Sequence, residues 1–224
     1  KDGKNMMLEG SKLSKDARKA IAGMMDLAES ITAFGNKNPT SYFRLVPHQE
    51  APTNVCWGMS NRSVLVRVPL GWTSGEDMCH KANEKEPLTE RDYSGKQTVE
   101  MRSPDASADI YQLLAGLCVA CSHGFEMANA EAEAESTFAD GDIHDPKNAE
   151  RYATLAQLPD SCAASADCLE RQRKVYEEYD VFSPAMIDGI IKQLRAFNDR
   201  TLRQEIEGKE MLMEKLVRQY YHCG

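Results

Sequence analysis

Ser63-Val64-Leu65-Val66-Arg67-Val68-Pro69 and Thr98-Val99-Glu100-Met101-Arg102 are the two stretches of this 224-residue chain that read as strands. The first is β-branched and apolar on both faces, as a strand covered on both sides should be. A period of two puts Thr98, Glu100 and Arg102 on one face of the second, with Glu100 and Arg102 roughly 6.5–7 Å apart along it. Val99, Met101 and Ser103 face the other way. On the first strand Arg67 shares a face with Leu65 and Ser63, and Arg62 stands at the entrance. Charged groups on short buried strands are costly unless they are paired or hold a ligand. Two readings are open at this point. One is an internal Arg–Glu ion pair. The other is an anion site, because three arginines accompany one carboxylate and a guanidinium fork suits carboxylate or phosphate oxygens.

Outside these strands the periodicity is helical. Ser14 is a plausible N-cap for a helix that stripes Ala17, Ile21, Met24, Met25, Ala28 and Ile31 and stops near Gly35. A second helix follows Asp105 and Ser107, with Ile110, Leu113, Leu114, Leu117, Cys118 and Cys121 on a face. A third, strongly charged, runs from about Ser165 to Tyr179. A fourth opens with Ser183-Pro184, a cap and a proline at the first helical position, and stripes Ile187, Ile190, Ile191, Leu194 and Phe197. Leu202 and Ile206 continue it, and after Gly208 the pattern resumes from Met211 to Tyr221. Between the two strands, Trp72 to Lys96 is a long charged connection, read as disordered or as a lineage-specific insertion.

Composition narrows the function. With 27 Lys+Arg against 35 Asp+Glu the net charge is −8, which supplies no basic face to track phosphates of a nucleic acid. The best membrane candidate, Ile110 to Phe125, carries Gln, Ser and His and falls short of the roughly 20 apolar residues a bilayer requires. Seven cysteines, an odd number in a chain large enough for a core, fit a reducing cytoplasm better than a disulfide framework. Cys118-x-x-Cys121 reads as two small thiols on the buried side of a helix, with no second ligand pair at zinc spacing. Asp140, Asp142 and Asp145 approach a calcium loop but have Asp145 where glycine belongs and Arg151 where glutamate belongs, so they read as a surface turn. The chain begins Lys1-Asp2-Gly3-Lys4 without an initiator Met or a signal pattern and reads as a cut inside a longer protein.

The segment before the sheet, Asn38 to Val55, is turn-rich yet aromatic, with prolines on both sides of His48 to Ala51, as in an ordered loop. Here the residues carry a resemblance. Asn38-Pro39-Thr40, Arg44-Leu45-Val46-Pro47, Glu50-Ala51-Pro52, Asn61-Arg62-Ser63, Arg67-Val68-Pro69 and Glu100-Met101-Arg102-Ser103-Pro104-Asp105 resemble glutamine synthetase in order and spacing. Leu158-Pro159-Asp160-Ser161 and Val181-Phe182-Ser183 resemble its C-terminal region. The resemblance implies an α+β fold with short antiparallel strands backed by several helices and a helical C-terminus. It also implies that residues 1–224 are the C-terminal portion of the catalytic domain, with the N-terminal β-grasp domain and the first half of the catalytic domain absent.

That family implies ATP-dependent amide formation: the side-chain carboxylate of L-glutamate takes the γ-phosphoryl group of ATP, and ammonia displaces phosphate from the acyl phosphate. Mg2+ or Mn2+ neutralises the transferring group, in a soluble cytoplasmic enzyme that assembles as a ring-shaped homo-oligomer. By position, Glu100 resembles a metal-ligand glutamate and Arg44 and Arg102 resemble glutamate-binding arginines. Arg62 and Arg67 resemble those contacting the phosphates of ATP, Arg62 also reaching the substrate. Glu50 resembles the flap glutamate that closes the site and takes a proton from ammonium. Departures accompany these matches: His48-Gln49-Glu50 stands for Gly-Tyr-Glu, Thr98 stands where arginine is common, and Ala156 occupies the position of the tyrosine that some relatives adenylylate. The other metal-ligand glutamates and the metal-ligand histidine find no counterpart here, so the chain alone is expected to be inactive. The alternatives are a ligase joining glutamate to a larger amine, and a non-catalytic structural relative.

Overall fold

The computed structural model describes residues 2–3, 5–10, 12–46, 51–69, 77–89 and 97–222. A two-residue hairpin, β1 (Leu8–Glu9) and β2 (Lys12–Leu13), leads into Ser14, whose Oγ accepts from Ala17 N at 3.0 Å and caps α1 (Lys15–Asp26). The expected stripe is buried, but it belongs to two helices. The chain breaks at Leu27 and continues as α2 (Ala28–Gly35), which carries Ile31 and Phe34 into the core and stops at Gly35. A single turn, α3 (Ser41–Arg44), ends in Arg44. Next come β3 (Trp57–Met59) and β4 (Val66–Val68), then α4 (Met78–Ala82), β5 (Glu100–Met101) and the long α5 (Ile110–Glu126). The expected insertion therefore holds a short helix capped by Asp77, while its residues 72–76 and 90–96 lie outside the described set. The Glu/Ala-rich run forms α6 (Ala130–Ser136), and α7 (Ala149–Tyr152) follows.

The C-terminal third is helical, as the caps foretell. Ser161 Oγ accepts from Ala164 N and opens α8 (Cys162–Glu178), which starts three residues earlier than its charge pattern suggests. Ser183 and Pro184 open α9 (Pro184–Arg195), whose Ile187, Ile190, Ile191 and Leu194 are buried. Then α10 (Leu202–Ile206) and α11 (Glu210–Tyr220) are parted by Gly208 at φ +69°, a left-handed residue that glycine adopts without strain. Phe34, Tyr176 and Phe182 form the aromatic centre, with ring centroids 5.0–5.7 Å apart. Among the described residues no helix is long and apolar enough to cross a membrane.

The three-stranded sheet runs β3-β4-β5. Its antiparallel half matches expectation, Val66 facing Met101 and Arg67 facing Glu100. The other half corrects it: β3 pairs with β4 in parallel, Gly58 beside Arg67. Trp57–Met59 is too short to show periodicity, and Trp57 is held in place by its indole N–H donating to Ala134 O at 2.6 Å.

The face of α5 is a second correction. Ile110, Leu114 and Cys118 were expected inward, yet Ile110 is 66% and Leu114 55% exposed and Cys118 is exposed. The buried residues are Gly116, Val119, Ala120 and Gly124. The reason is the crossing with α1. A Cβ on Gly124 would lie 2.0 Å from Lys19 O, and one on Gly23 would lie 1.9 Å from Ala120 O. Backbones this close admit only small residues, so the stripe of small residues turns inward and the larger ones turn out.

Candidate functional site

The register of β4 and β5 builds the centre of the site. Arg67 and Glu100 are direct cross-strand partners, and Arg67 Nη2 donates to Glu100 Oε2 at 2.6 Å. Arg102, two residues along the same face, places Nε 3.8 Å from Glu100 Oε1. One carboxylate thus stands between two guanidiniums, with Arg67 25%, Glu100 42% and Arg102 15% exposed. The ion pair that the sequence left open is present, and the positive surplus is present with it. Arg67 Nε is buried with no partner among the described residues.

Arg102 is fixed from the other side by donating through Nη1 to the carbonyls of Arg62 and of Val64, the latter at 3.0 Å. It therefore joins β5 to the entrance of β4, where Arg62 is exposed. Asn61 shapes that entrance: its amide donates to Gly141 O at 2.8 Å and its carbonyl accepts from Ser63 N and Oγ.

Arg44 approaches the same strand from α3. Its Nη2 donates to Ser103 O and to Pro104 O, the latter at 3.1 Å, the two carbonyls that follow Arg102. The structure thus brings Arg44, Arg62, Arg67, Glu100 and Arg102 to one sheet end and its exit turn. Glu50 lies outside the described residues.

Two positioning residues escaped the sequence reading. Asn36, fully buried at the end of α2, donates to Ser103 O at 2.8 Å and to Asp105 Oδ2 at 3.2 Å, fixing the turn that Arg44 also grips. Arg203 on α10 donates to Tyr42 O at 2.7 Å and Leu45 O at 3.3 Å, clamping the helix that carries Arg44. The signal for Asn36 was its place just past Gly35 at a helix end; Arg203 had none in the local pattern. Two neighbouring cavities lie beside this turn, the first of them lined in part by Arg44. One of about 230 Å³ is lined by Thr40, Arg44, Asp105, Ser107, Tyr220 and Tyr221. The other, about 390 Å³, shares Asn38, Ser107 and Tyr220 and reaches Lys37. Burial holds the Lys37 amine below its ordinary value, partly offset by Asp109.

Asp140 accepts from Arg151 at 2.7 Å and from the Tyr152 hydroxyl at 3.1 Å, while Asp142 and Asp145 accept from the backbone of their own turn. Among the described residues no three His, Cys, Asp or Glu side chains converge as a metal site. Glu100, a single carboxylate between two guanidiniums, does not fit a divalent cation on its own, because such oxygen sites draw on several ligands.

Residues 1–213 match the family described as glutamine synthetase, catalytic domain. The glutamine synthetase of Streptomyces coelicolor is 33% identical over 184 residues, which are 82% of this chain and 34% of that protein. That of Thermococcus kodakarensis is 28% identical over 208 residues, 92% of this chain and 40% of that protein. The chain therefore spans between a third and two fifths of the length of these curated relatives. In three dimensions it resembles the glutamine synthetase of Plasmodium falciparum, with a TM-score of 0.65 and 20% identity over 91% of this chain and 43% of that one. A structure described as "GmaS/ADP complex-Conformation 1" superposes with a TM-score of 0.63 at 20% identity, covering 93% of this chain and 43% of that one. At this identity the two structures speak for the fold. The α+β architecture, the ordered motifs and the family match agree, and the chain belongs to the glutamine synthetase catalytic-domain family.

Proposed function

We propose that this chain supplies the arginine-rich part of the active site of an ATP-dependent glutamate–ammonia ligase, acting within a longer protein. The observation that carries the reading is the Arg67–Glu100–Arg102 cluster, with Arg44 and Arg62 beside it, in a chain of this family. Phosphoryl transfer to a carboxylate gathers negative charge from two anions, and fixed guanidiniums stabilise that charge without having to reorganise. In this reading Arg67 and Arg62 face the transferring phosphoryl group of ATP. Arg44 and Arg102 hold the carboxylates of L-glutamate, and Glu50 accepts the proton that ammonium gives up. Glu100 keeps Arg67 and Arg102 aligned. The resemblance also makes Glu100 a ligand of Mg2+ or Mn2+, to which it would supply one of several carboxylates, and no step is routed through the ion.

The chemistry of the chain's own residues is positional. Arg102 and Arg44 are anchored to backbone carbonyls through one nitrogen each. Anchoring of this kind holds the guanidinium plane in one orientation, as a forked contact with a carboxylate requires. A cytoplasmic location and a ring-shaped homo-oligomer belong to the same proposal.

Glu50→Gln in the full-length protein tests the role of the flap residue, because it keeps shape and removes the base. Glutamate-dependent ATP hydrolysis without ammonia should survive better than ammonia-dependent synthesis. Proportional loss of both activities would move Glu50 to a positioning role, and no change in either would remove it from the site.

A further inference from the structure

The first three N–H groups of α8 are all taken by side chains. Ser161 Oγ accepts from Ala164 N at 3.2 Å, and the Asp199 carboxylate accepts from Cys162 N at 2.8 Å and Ala163 N at 3.1 Å. Asp199 belongs to the turn between α9 and α10 and is only 6% exposed, a carboxylate buried where a helix N-terminus favours negative charge. The same turn is tied down again by Arg200, whose Nη2 donates to Asp167 Oδ2 and, at 3.4 Å, to Ala163 O. The Asp199 carbonyl then accepts from Leu202 N at 3.1 Å and opens α10, whose second residue is Arg203. Facing α10, the helix α3 cannot hold itself: four residues are too few for a stable helix, and Thr40 gives it no side-chain cap. A cavity of about 500 Å³ is lined by Phe43 and Val46 from the α3 segment and by Ile206 and Met213 from the α10–α11 segment, so apolar packing between the two is incomplete. Arg203, on the wall of that cavity, makes the connection through Nη2 to Tyr42 O and Leu45 O.

We propose that Asp199 and Arg203 are positioning residues that act as one strut, from α8 through α10 to α3, and set the place of Arg44. The inference rests on the ligase reading above, in which Arg44 holds a carboxylate of glutamate. Arg44 is the last residue of α3 and lies between the two carbonyls that Arg203 grips. Its own bonds to Ser103 O and Pro104 O fix only the far end of its side chain. The strut fixes the near end, and with both ends held the guanidinium keeps one place and one plane.

The test uses the full-length protein that carries this chain, with Arg203→Met, Arg203→Lys, Asp199→Asn and the double variant Asp199→Asn/Arg203→Met. Arg203→Met should raise the KM for L-glutamate by about tenfold, the scale of one hydrogen bond to a charged group, with the KM for ATP unchanged. Arg203→Lys should restore most of the loss, because both bonds leave from a single nitrogen that an ammonium can replace. Asp199→Asn should act in the same direction, and the double variant should be no worse than the more affected single one, since the two work through each other. If Asp199→Asn does not fold, the Arg203 pair decides, because the strut acts only through that arm. A fall in kcat with both KM values unchanged, which loss of folded protein alone gives, overturns the proposal, and so do fully additive losses. Phenylglyoxal labelling of Arg44, read by peptide mass spectrometry, reports its anchoring without reference to turnover. Labelling several-fold faster in Arg203→Met and near the parental rate in Arg203→Lys is expected; an unchanged rate in Arg203→Met overturns the proposal. No glutamate-dependent ATP turnover in the parent protein refutes the ligase reading, and the labelling alone then decides whether the strut holds Arg44.

Discussion

Replacing Gly124 by alanine should cost more stability than almost any other single-methyl change in this chain. The new Cβ would sit 2.0 Å from Lys19 O, 2.8 Å from Gly23 N and 3.0 Å from the Lys19 carbonyl carbon. All three are backbone atoms of α1, so no side chain can swing aside. Relief to ordinary contact requires α1 to retreat by more than 1 Å, and a gap of 0.5–1 Å already forfeits about a quarter to a half of each dispersion contact along the crossing. Overpacking costs typically 1–3 kcal/mol, and a clash between two backbones lies at or above the top of that range. Alanine's better helix propensity returns about 1 kcal/mol. The net expectation is a loss of about 2–4 kcal/mol, which for a chain of this size lowers Tm by roughly 5–15 °C. Gly189 is the control. It is exposed within α9, a Cβ there meets nothing within 4 Å, and Gly189→Ala should gain about 0.5–1 kcal/mol. Thermal and urea unfolding of the two variants beside the parent decide the matter. If both substitutions stabilise, or both leave Tm unchanged, the close crossing of α1 and α5 is wrong.

Other expectations follow from burial and charge. Cys79 and Cys118 are exposed, whereas burial pushes the Cys56 thiol up to about 11 and raises Cys162 further, with the Asp199 charge adding to the effect. A maleimide pulse at pH 7.5 read by mass spectrometry should label the first two long before the second two; labelling at similar rates would contradict the described burial. At Asp167, burial pushes the carboxyl up, but hydrogen bonds from Arg200 and Arg195 outweigh it and hold the folded value below the ordinary one. A depressed folded value gives stability that is present above the unfolded value near 4 and lost as pH falls through the folded one. Asp167→Asn should therefore be the less stable protein at pH 7, by a modest margin for so exposed a group, with the gap closing below about pH 4. A gap independent of pH would show that the carboxylate charge is not what acts. Arg67→Ala in the full-length protein should weaken the ATP-dependent step more than glutamate binding, and equal loss in both would reverse its assignment.

The sequence made the caps and the motif strands legible because their signals are local. Ser14, Ser161 and Ser183 each accept the hydrogen bond from a backbone N–H three residues on, as an N-cap serine does. Period two alone put Glu100 and Arg102 on one face, where they meet. What escaped is what depends on partners distant in sequence. β3 pairs in parallel with β4 through Val66 N to Cys56 O and Ser60 N to Val68 O, a pairing that three residues without periodicity do not announce, and its other edge is held by bonds to Thr137 and Ala139, some eighty residues away. The inward face of α5 was misread because hydrophobicity ranks Ile110 and Leu114 above glycine, whereas the crossing selects for size. Gly116, Ala120 and Gly124 at intervals of four were visible as a small-residue stripe, but their meaning appears only when Gly23 stands against Ala120 and Gly124, and the Phe34 ring against Gly116. At the site, the opposed Arg67 and Glu100 required the register between strands 33 residues apart, which no local pattern contains.

The central claim is that this chain belongs to a site that activates a glutamate carboxylate by phosphorylation. Oxygen-18 transfer tests it most directly. Full-length protein is given ATP, ammonium and L-glutamate labelled with oxygen-18 in the γ-carboxylate, and the inorganic phosphate released is analysed by mass spectrometry. An acyl phosphate formed at the γ-carboxylate and broken by ammonia leaves one labelled oxygen in each phosphate, with glutamine formed in equal amount, and Glu100→Gln should suppress both products at an unchanged Tm. Unlabelled phosphate, or labelled phosphate released at the parental rate by Glu100→Gln, would contradict the account.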